Sequence, residues 1–516
     1  MNYLLRQPWR EARRFYDSQA WTTDTIPGLI RSHAAKAPDQ IATVDSRRSL
    51  TYANLAAAME RAAGQLAAAG IDRGDAVLIR LPDAAEFVVA SAAAHAVGAV
   101  AIPVAASSGE LEIATIAQRV HARAYAGPPE EWSCLAGLRR LELDDASVWV
   151  PGAPPGTGHA PDPDALMEVM FTSGTTGRAK GVMNSANTKL AGLRGFRRAF
   201  DLSATDVVGV VAPMYHNAGW GYSYLLGLYA GGTAVFVGRG DPERMLDTLA
   251  REGVTTTFLV PTHASDLLAV WRAQPGRWNL ALRYILVGGS TVPSEVVTGI
   301  RDEWGAQPIV CYGMTEGQSV SFTRDGDPIE VLTESVGRPC PGVDVAIRSA
   351  ETGDPVDEGG VGEVVISGPT VCLGYYDDQA ATSAAFTKDG WLRSGDLGTF
   401  VDGNLRIVGR LKEVILRGGA TVVPEDVELA IAGCPGVEQV SVCAVPDERL
   451  GELICACVVG DATLQTVQDH LRARGIGRGL WPDAVLLFDD IPKTSLGKVR
   501  RAALAAAAAE RSGRPG

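Results

Sequence analysis

The feature that most constrains the fold is a regular alternation of short apolar runs with longer Ala- and Leu-rich runs. The short runs have the length and β-branched content of buried strands; they are DAVLIRL, GAVAIPV, DVVGVVAP, GTAVFVG, TTTFLVP, LRYILVGG and QPIVCYG. One longer run, TYANLAAAMERAAGQLAAAG, predicts a helix that Thr51 caps and Gly70 ends. Strands that alternate with helices form parallel sheets, so the pattern predicts an α/β fold.

The most apolar window, Phe87–Ala106, is long enough to be considered as a membrane span. It is mostly Ala, however, contains His95, and is interrupted by Gly98 and Pro103. We therefore predict a buried helix that runs into a strand.

From about Ser335 onward, Gly and Asp become dense and the apolar runs shorten to VDVAIRS, GEVVISG and NLRIVG. This composition, with its short apolar runs, predicts a β-rich subdomain. After Gly409 and Arg410 comes a small α/β segment that ends in the helical tail RRAALAAAAAER. Because 516 residues are too many for one ordinary domain, we predict an N-terminal domain of residues 1–411 and a C-terminal domain of residues 412–516.

Charge and cysteine usage narrow the function classes. The formal net charge of −13 argues against a general nucleic-acid binder and gives no support for an anionic membrane partner. Cys455 and Cys457 form a C-x-C, which is not a usual zinc spacing, so we expect buried free thiols in a reducing compartment. The N-terminus has no apolar stretch long enough for a signal peptide, and we expect a cytoplasmic protein.

The stretch FTSGTTGRAKG, Phe171–Gly181, is rich in glycines and small hydroxylated residues. Glycines bring backbone N–H groups close to a ligand, and Lys180 adds a mobile positive charge; such convergent donors suit a polyphosphate. The P-loop pattern G-x-x-x-x-G-K-[ST] does not match, because Gly174 and Gly177 lie too close together and Lys180 precedes Gly181. Composition alone leaves open a phosphate-binding loop or a flexible surface loop.

Two more stretches follow predicted strands. CYGMTEG places Tyr312, Thr315 and Glu316 at the carboxyl end of one strand, and LVGGSTVP does the same for Gly288 and Gly289. Ligands bind at this edge in open α/β sheets. Taken singly, Tyr312 could equally be a core residue and Glu316 a solvated acid at a helix start.

Lysine usage marks three further positions. The chain has 47 Lys and Arg residues, and nearly all are arginine. Where arginine is the default, a lysine in a Gly-rich context indicates a need for a compact point charge. Lys180, Lys412 and Lys498 lie in such contexts. Asp396, in WLRSGDLG, could by itself be a turn residue whose side chain bonds to its own backbone.

Together these stretches resemble the adenylate-forming superfamily, which comprises acyl- and aryl-CoA synthetases, adenylation domains of peptide synthetases, and beetle luciferases. The resemblance extends from LTYANL at Leu50 to LGKVRR at Arg501. It implies a large N-terminal domain of two doubly wound sheets with a β-rich subdomain, and a small mobile α+β C-terminal domain. It also implies ATP-dependent formation of an acyl-adenylate and thioester formation with CoA, with ATP, Mg²⁺ and CoA as the cofactors.

The resemblance implies a role for each matching residue on the nucleotide side. Those expected to bind pyrophosphate are Thr172, Ser173, Gly174, Thr175, Thr176, Gly177 and Lys180. Those expected to frame the adenine are Gly288, Gly289, Ser290 and Tyr312. Thr315 would contact the α-phosphate, Glu316 would help to hold Mg²⁺, and Asp396, with Arg410 nearby, would accept both ribose hydroxyls.

On the acid side, the resemblance implies that Lys498 reaches the substrate carboxylate and the α-phosphate. His216 would be the gate beside the acid-binding pocket. Lys412 would occupy the hinge about which the last segment rotates between the two half-reactions.

The chain departs from adenylation domains for α-amino acids, which carry an Asp soon after the phosphate loop. The corresponding stretch, YHNAGWGYSY, has no acid, so an α-amino acid is not expected. Asn217 after His216 is similar to aryl-acid activators. Trp220, Tyr222 and Tyr224 predict either an apolar pocket or a packed helix face.

Three functions stay open at this point. The chain is a standalone acyl- or aryl-CoA ligase, or an adenylation enzyme that delivers its acyl group to a carrier-protein thiol or an amine, or a nucleotide-binding protein without turnover. No carrier-protein segment follows Arg501, so we expect the thiol to come from CoA or from a separate protein. The presence of Lys180, Glu316, Asp396 and Lys498 disfavours the third function.

Overall fold

A computed structural model describes residues 9–144, 146–150, 161–172, 179–417, 420–447, 449–493 and 499–511. Its helices, α1 to α16 in chain order, are Trp9–Asp17, Ile26–Lys36, Tyr52–Ala68, Ala85–Ala96, Glu110–Val120, Ala186–Ala199, Asn217–Gly219, Leu226–Ala230, Pro242–Arg251, Pro261–Ala273, Ser294–Asp302, Ile329–Glu334, Gln379–Ala385, Pro424–Ile431, Leu464–Ala473 and Arg501–Arg511. A π-helical turn, Trp220–Leu225, joins α7 to α8.

Strands β1 to β13, in chain order, are Ile41–Val44, Ser49–Thr51, Ala76–Ile79, Val100–Pro103, Ala122–Ala126, Arg139–Arg140, Leu166–Thr172, Lys180–Ser185, Val207–Val210, Thr233–Phe236, Thr256–Leu259, Tyr284–Gly288 and Gln307–Met314. Strands β14 to β25 are Gln318–Phe322, Arg338–Pro339, Asp344–Arg348, Gly362–Ser367, Gly374–Tyr375, Leu392–Val401, Asn404–Arg410, Ile415–Arg417, Ala420–Val422, Val437–Asp447, Gly451–Gly460, and Ala484–Leu487 as the last.

The chain divides into two compact units. The first takes the chain up to Val345 and again Ile366–Leu392, and the second takes Ala346–Val365 and the chain from Arg393 on. Each unit has its own sheets and its own buried core.

The first unit contains a nine-stranded sheet in the order β15-β14-β13-β12-β11-β9-β10-β1-β2. The strands from β13 to β1 in this order are parallel, and antiparallel strands lie at both edges. Fully buried Leu259, Ile285 and Val287 pack against Leu246 of α9 and Ile300 of α11. Parallel strands need such helical cover, which explains why these strands read as continuous apolar runs.

A seven-stranded sheet of the same unit has the order β18-β8-β7-β4-β3-β5-β6. Strands β7, β4, β3, β5 and β6 are parallel, whereas β8 returns antiparallel to β7 and β18 pairs with β8. Fully buried Leu78, Ile102 and Val169 form its core with Ile113 of α5.

The second unit contains a four-stranded sheet, β16-β17-β19-β20, and a five-stranded sheet built around the long hairpin of β23 and β24. Side chains along β24 alternate between two cores. Ile454 packs with Val427 of α14 and Leu471 of α15, and its neighbour Cys455 packs with Leu504 of α16. This alternation is the period of two that a strand buried on both faces requires.

These elements confirm the predicted fold class and its strands. All seven predicted strands occur, as β3, β4 and β9 to β13, and the helical tail is α16. The Thr51 hydroxyl accepts the Asn54 N–H at the start of α3, and Gly70, just past its end, has a φ of 75°. The Ala-rich window is α4 followed by β4, and among the described residues no helix combines the length and apolarity needed to cross a bilayer.

Candidate active site

A hairpin brackets the predicted phosphate loop. Strand β7 ends at Thr172 and β8 begins at its partner Lys180, whose carbonyl accepts the Thr172 hydroxyl at 3.5 Å. A Cβ on Gly181 would lie 2.7 Å from Val169 Cγ1, so only glycine fits the start of β8. The loop residues Ser173, Gly174, Thr175, Thr176 and Gly177 lie outside the described residues.

The structure links Lys180 to Glu316 through Tyr375, which the sequence analysis missed. The Lys180 ammonium lies 4.7 Å from the centroid of the Tyr375 ring, and the Tyr375 hydroxyl donates to Glu316 Oε1 at 2.8 Å. Strand β18 creates this contact by pairing Tyr375 with Val182. Tyr375 lies in CLGYYDD, and nothing in that stretch distinguishes it from a core aromatic.

Tyr375 is a hydrogen-bond donor at any ordinary pH. Burial of the ring raises the pKa of its hydroxyl, and the charge of Glu316 and the hydrogen bond to it raise that pKa further. A protonated hydroxyl can only donate to a carboxylate, so it fixes the orientation of Glu316.

The predicted adenine-side residues lie at the carboxyl ends of two neighbouring parallel strands. β12 ends at Gly288, which pairs with Cys311 in β13, and Tyr312 is the next residue. A Cβ on Gly288 would lie 2.4 Å from the Cys311 carbonyl oxygen, and Gly289 has a φ of 95°. Both positions therefore require glycine. Ser290 follows them and is exposed.

The backbone around Thr315 and Glu316 is held by buried partners. The Gln318 side-chain N–H donates to the Thr315 carbonyl at 2.7 Å and also to Asn184 Oδ1 at 3.1 Å. The Glu316 carbonyl accepts the Cys372 N–H at 2.7 Å. This turn is thus fixed from both sides, while the Glu316 side chain stays half-buried.

Beneath these residues lies an ion pair that the sequence analysis did not find. Lys189 Nζ of α6 lies 2.5 Å from Glu168 Oε1 of β7, and both side chains are at most 1% exposed. Glu168 Oε2 accepts the Trp220 indole N–H at 3.0 Å, and Lys189 donates to Asn217 Oδ1 at 2.9 Å. A glutamate inside the apolar strand LMEVMF was the available signal.

Predicted gate residue His216 is half-buried and precedes the short helix α7. A Cβ on Gly219 would lie 2.3 Å from the Ala212 carbonyl oxygen, so glycine lets α7 pack against the end of β9. The Trp220 and Tyr224 rings are buried and stack at 5.5 Å with 7° between their planes. For these two aromatics the packed helix face is correct.

In the second unit, Asp396 and Arg410 are partners in the β19–β20 ladder, and Arg410 Nε lies 3.2 Å from Asp396 Oδ1. The Asp396 side chain is only 13% exposed. Gly395, with a φ of 74°, precedes it within β19, so Asp396 lies in a strand and not in the turn that the sequence suggested. The structure therefore brings together the two residues that the resemblance assigns to the ribose.

The predicted hinge residue Lys412 is exposed, in a turn that the Glu413 N–H closes onto the Arg410 carbonyl. Lys498 lies outside the described residues. Arg501, at the start of α16, pairs with Glu413 at 2.7 Å and with Glu425 and Glu428 at 2.6 Å each. These pairs tie the start of α16 to the turn that contains Lys412.

The C-x-C motif acquires a third cysteine from the strand pairing. Cys443 lies opposite Cys455, and the sulfur atoms of Cys443, Cys455 and Cys457 all lie within 4.8 Å of one another. All three are free and buried among apolar side chains. These three residues are therefore the buried free thiols that the sequence predicted.

Comparison with known families identifies two domain types. The sequence model described as AMP-binding enzyme matches residues 30–376, and the model described as AMP-binding enzyme C-terminal domain matches residues 426–498.

Known proteins match along nearly the whole chain. A salicyl-AMP ligase / salicyl-S-ArCP synthetase of Mycobacterium tuberculosis is 33% identical over 94% of this chain and 91% of its own length. A feruloyl-CoA synthase of an Amycolatopsis species is 33% identical over 90% of this chain and 95% of its own length. The crystal structure of ATP-bound MatB from Rhodopseudomonas palustris superposes with a TM-score of 0.85 at 26% identity, covering 93% of this chain and 98% of that one.

Proposed function

Since the chain belongs to the AMP-binding enzyme family and is an AMP-forming acid–thiol ligase, we propose that it activates an aromatic carboxylic acid and transfers the acyl group to CoA. Two relatives at 33% identity are named for aromatic acids, salicyl and feruloyl. Asn217 after His216 supports the same substrate class, and the absence of an acidic residue in YHNAGWGYSY argues against an α-amino acid.

The reaction makes a poor electrophile reactive. A carboxylate oxygen attacks the α-phosphorus of ATP, the bond between that phosphorus and the α,β-bridging oxygen breaks, and pyrophosphate leaves with that oxygen and the bonding electrons. The thiolate of CoA then attacks the carbonyl carbon of the acyl-adenylate, and AMP leaves with the bonding electrons. Negative charge gathers at the α-phosphate in the first step, so fixed positive groups there lower the barrier.

The observation that carries the proposal is the chain of contacts from Lys180 through Tyr375 to Glu316. We assign Lys180, with Thr172 and the loop up to Gly177, to the β- and γ-phosphates. A lysine suits phosphate as a compact charge, and its position over the Tyr375 ring directs the ammonium without neutralising it.

Glu316 fits a magnesium ligand. Mg²⁺ takes oxygen ligands and is usually bound through one or two carboxylates together with substrate phosphates. The half-buried Glu316 carboxylate, oriented by Tyr375 and preceded by the Thr315 hydroxyl, offers such a ligand. When bound, the ion would neutralise phosphate charge, while Thr315 positions the α-phosphate.

We assign Gly288, Gly289, Ser290 and Tyr312 to the adenine, and Asp396 with Arg410 to the ribose. Gly288 lets β12 lie against the Cys311 carbonyl, and Gly289 supplies the positive φ with which the chain leaves this strand. A mostly buried carboxylate such as Asp396 can accept two hydroxyls, and the contact with Arg410 orients it. His216 is assigned to the mouth of the acid pocket.

The two half-reactions make different demands on the active site. In the first step pyrophosphate must leave, and in the second step a thiol must reach the acyl-adenylate. We propose that residues 412–516 form a mobile domain that rotates about Lys412, withdrawing Lys498 after adenylation. A carrier-protein thiol or an amine is the alternative acceptor, and the name salicyl-S-ArCP synthetase of one relative favours the carrier. We place the protein in the cytoplasm, where ATP and CoA are available.

A panel of carboxylic acids tests the proposal. Purified protein is incubated with ATP, Mg²⁺ and each acid, with and without CoA, and pyrophosphate and thioester are measured. We expect aromatic acids to give pyrophosphate release and CoA thioesters. Release with aliphatic acids alone would contradict the substrate class, and adenylate that CoA does not discharge would favour the alternative acceptor.

A further inference from the structure

The Glu168–Lys189 ion pair calls for an explanation beyond stability. Both side chains are at most 1% exposed. Burying two charges costs desolvation free energy that their mutual attraction often fails to recover. Apolar residues of similar volume frequently give a fold that is equally stable. Stability alone therefore does not explain why this ion pair is present, and its hydrogen-bond partners are the better guide to its role.

Its contacts reach three segments of the proposed site. Glu168 belongs to β7, which continues into the phosphate loop. Trp220 and Asn217, which follow His216, bond directly to Glu168 and to Lys189. Asn184 carries the network onward, because it donates to Glu168 at 3.5 Å and accepts from the Gln318 side chain that also holds Thr315.

Lys189 also decides which end of the Asn217 amide points toward it. An ammonium has three donors and no acceptor, so Asn217 must present its Oδ1 to Lys189, as it does at 2.9 Å. The amide N–H₂ of Asn217 is therefore directed away from Lys189. Without the ammonium, rotation of the amide by half a turn would carry no such penalty.

We propose that Lys189, anchored by Glu168, is a positioning residue that fixes the Asn217 amide and thereby sets which acids the pocket accepts. This inference rests on the proposed function, because it takes the segment after His216 as the wall of the acid pocket. Acids with a hydrogen-bond acceptor beside the carboxylate depend on the orientation, and acids without one do not.

The test replaces the pair by neutral groups of similar shape, as Glu168→Gln with Lys189→Met. The glutamine keeps an acceptor for the Trp220 indole, and methionine fills the space of the lysine stem. We expect KM for salicylate to rise about 3- to 10-fold, the cost of losing one hydrogen bond between uncharged groups, with KM for ATP within about twofold. KM for benzoate, which lacks the hydroxyl, should change much less.

A matched control separates this effect from general damage. Arg283→Met removes the arginine that pairs with Asp206, whose side chain is 1% exposed. This second ion pair lies at the amino ends of β9 and β12, whereas the residues assigned to the adenine lie at the carboxyl ends of β12 and β13. The variant should lower the melting temperature and leave the ratio of the two acid KM values unchanged. Where the methionine variant does not fold, Glu168→Gln with Lys189→Leu takes its place.

A mutant cycle gives the decisive comparison. In an Asn217→Ala background there is no amide to orient, so the paired substitution should no longer alter the salicylate-to-benzoate KM ratio. An effect of equal size with and without Asn217, or an unchanged ratio in the paired variant, overturns the inference. If the parent protein activates neither acid, the proposed substrate class is wrong. Activity of the parent protein with these acids therefore distinguishes failure of the proposed function from failure of this inference.

Discussion

Tyr375 donates a 2.8 Å hydrogen bond to Glu316, although 59 residues separate them in the chain. The same ring lies beneath the ammonium of Lys180. One buried tyrosine therefore contacts both the lysine beside the proposed phosphate loop and the acid that we assign to magnesium, and its two interactions are separable by mutation.

Tyr375→Phe keeps the ring under Lys180 and removes only the donor to Glu316. Residues that orient a metal ligand typically contribute 10- to 100-fold in metal affinity or activity, and we expect the Mg²⁺ concentration for half-maximal pyrophosphate release to rise about tenfold. Tyr375→Leu removes the ring as well and should in addition raise KM for ATP. A Phe variant with the parent's magnesium dependence would show that Tyr375 is only a packing residue.

Asp396→Asn should weaken ATP binding, because the neutral amide forms weaker bonds to hydroxyls than the carboxylate held by Arg410 does. We expect the dissociation constant for ATP to rise at least about tenfold, the cost of losing charge-assisted hydrogen bonds. Equilibrium binding of ATP measures this without turnover. Glu351→Gln, at an exposed acid of the same unit, is the control and should not alter it. Unchanged ATP affinity in the Asn variant would remove Asp396 from the site.

Lys412→Pro should separate the two half-reactions. Proline fixes φ and restricts the residue before it, so a backbone rotation at this turn becomes difficult. We expect acid-dependent pyrophosphate release in the first turnover to persist and CoA-ester formation to fall. Lys412→Ala, which keeps the backbone free, should retain both steps. Equal loss of both steps in the proline variant would mean that the turn is structural and not a hinge.

His95 makes the protein sensitive to mild acid. Burial, together with the charge of Lys189, lowers the pKa of His95 from 6.5 to about 3, so the histidine is neutral in the folded state. Below pH 6.5 the unfolded chain takes up a proton that the folded chain refuses, and stability falls by up to about 1.4 kcal/mol per pH unit until pH 3. His95→Leu should flatten the decline of melting temperature between pH 6.5 and 5. The same decline in both proteins would contradict this assignment.

The sequence predicted the scaffold well because its signals are local. Apolar runs such as LRYILVGG and the cap at Thr51 depend on neighbours in the chain, and so do the glycines at Gly288 and Gly289. Contacts between residues that are far apart in the chain could not be predicted from the sequence. Tyr375 meets Glu316 only because β18 pairs with β8, and Cys443 joins Cys455 only through the register of a long hairpin.

The Glu168–Lys189 pair lies between these cases. Glu168 interrupts the apolar strand LMEVMF, so the sequence holds the signal that something must satisfy its charge, whereas Lys189 follows the polar stretch SANT and gives no such signal. Because the two residues belong to different segments of the chain, the sequence does not show that their charges pair with each other. A charged residue inside an apolar strand, such as Glu168, therefore predicts a buried partner of opposite charge elsewhere in the sequence.

We propose that the chain forms an acyl-adenylate with the help of Lys498 and then discharges it in a different arrangement. The Lys498→Ala variant, with each half-reaction measured alone, separates these two steps. Removing one preorganised positive donor typically costs roughly 10²- to 10³-fold in rate, and adenylation should slow by at least that much with little change in ATP affinity. From a preformed acyl-adenylate and CoA, the variant should yield thioester at near the parent rate. Normal adenylation by the variant would mean that Lys498 takes no part in the first step, and equal slowing of both half-reactions would mean that one arrangement serves both.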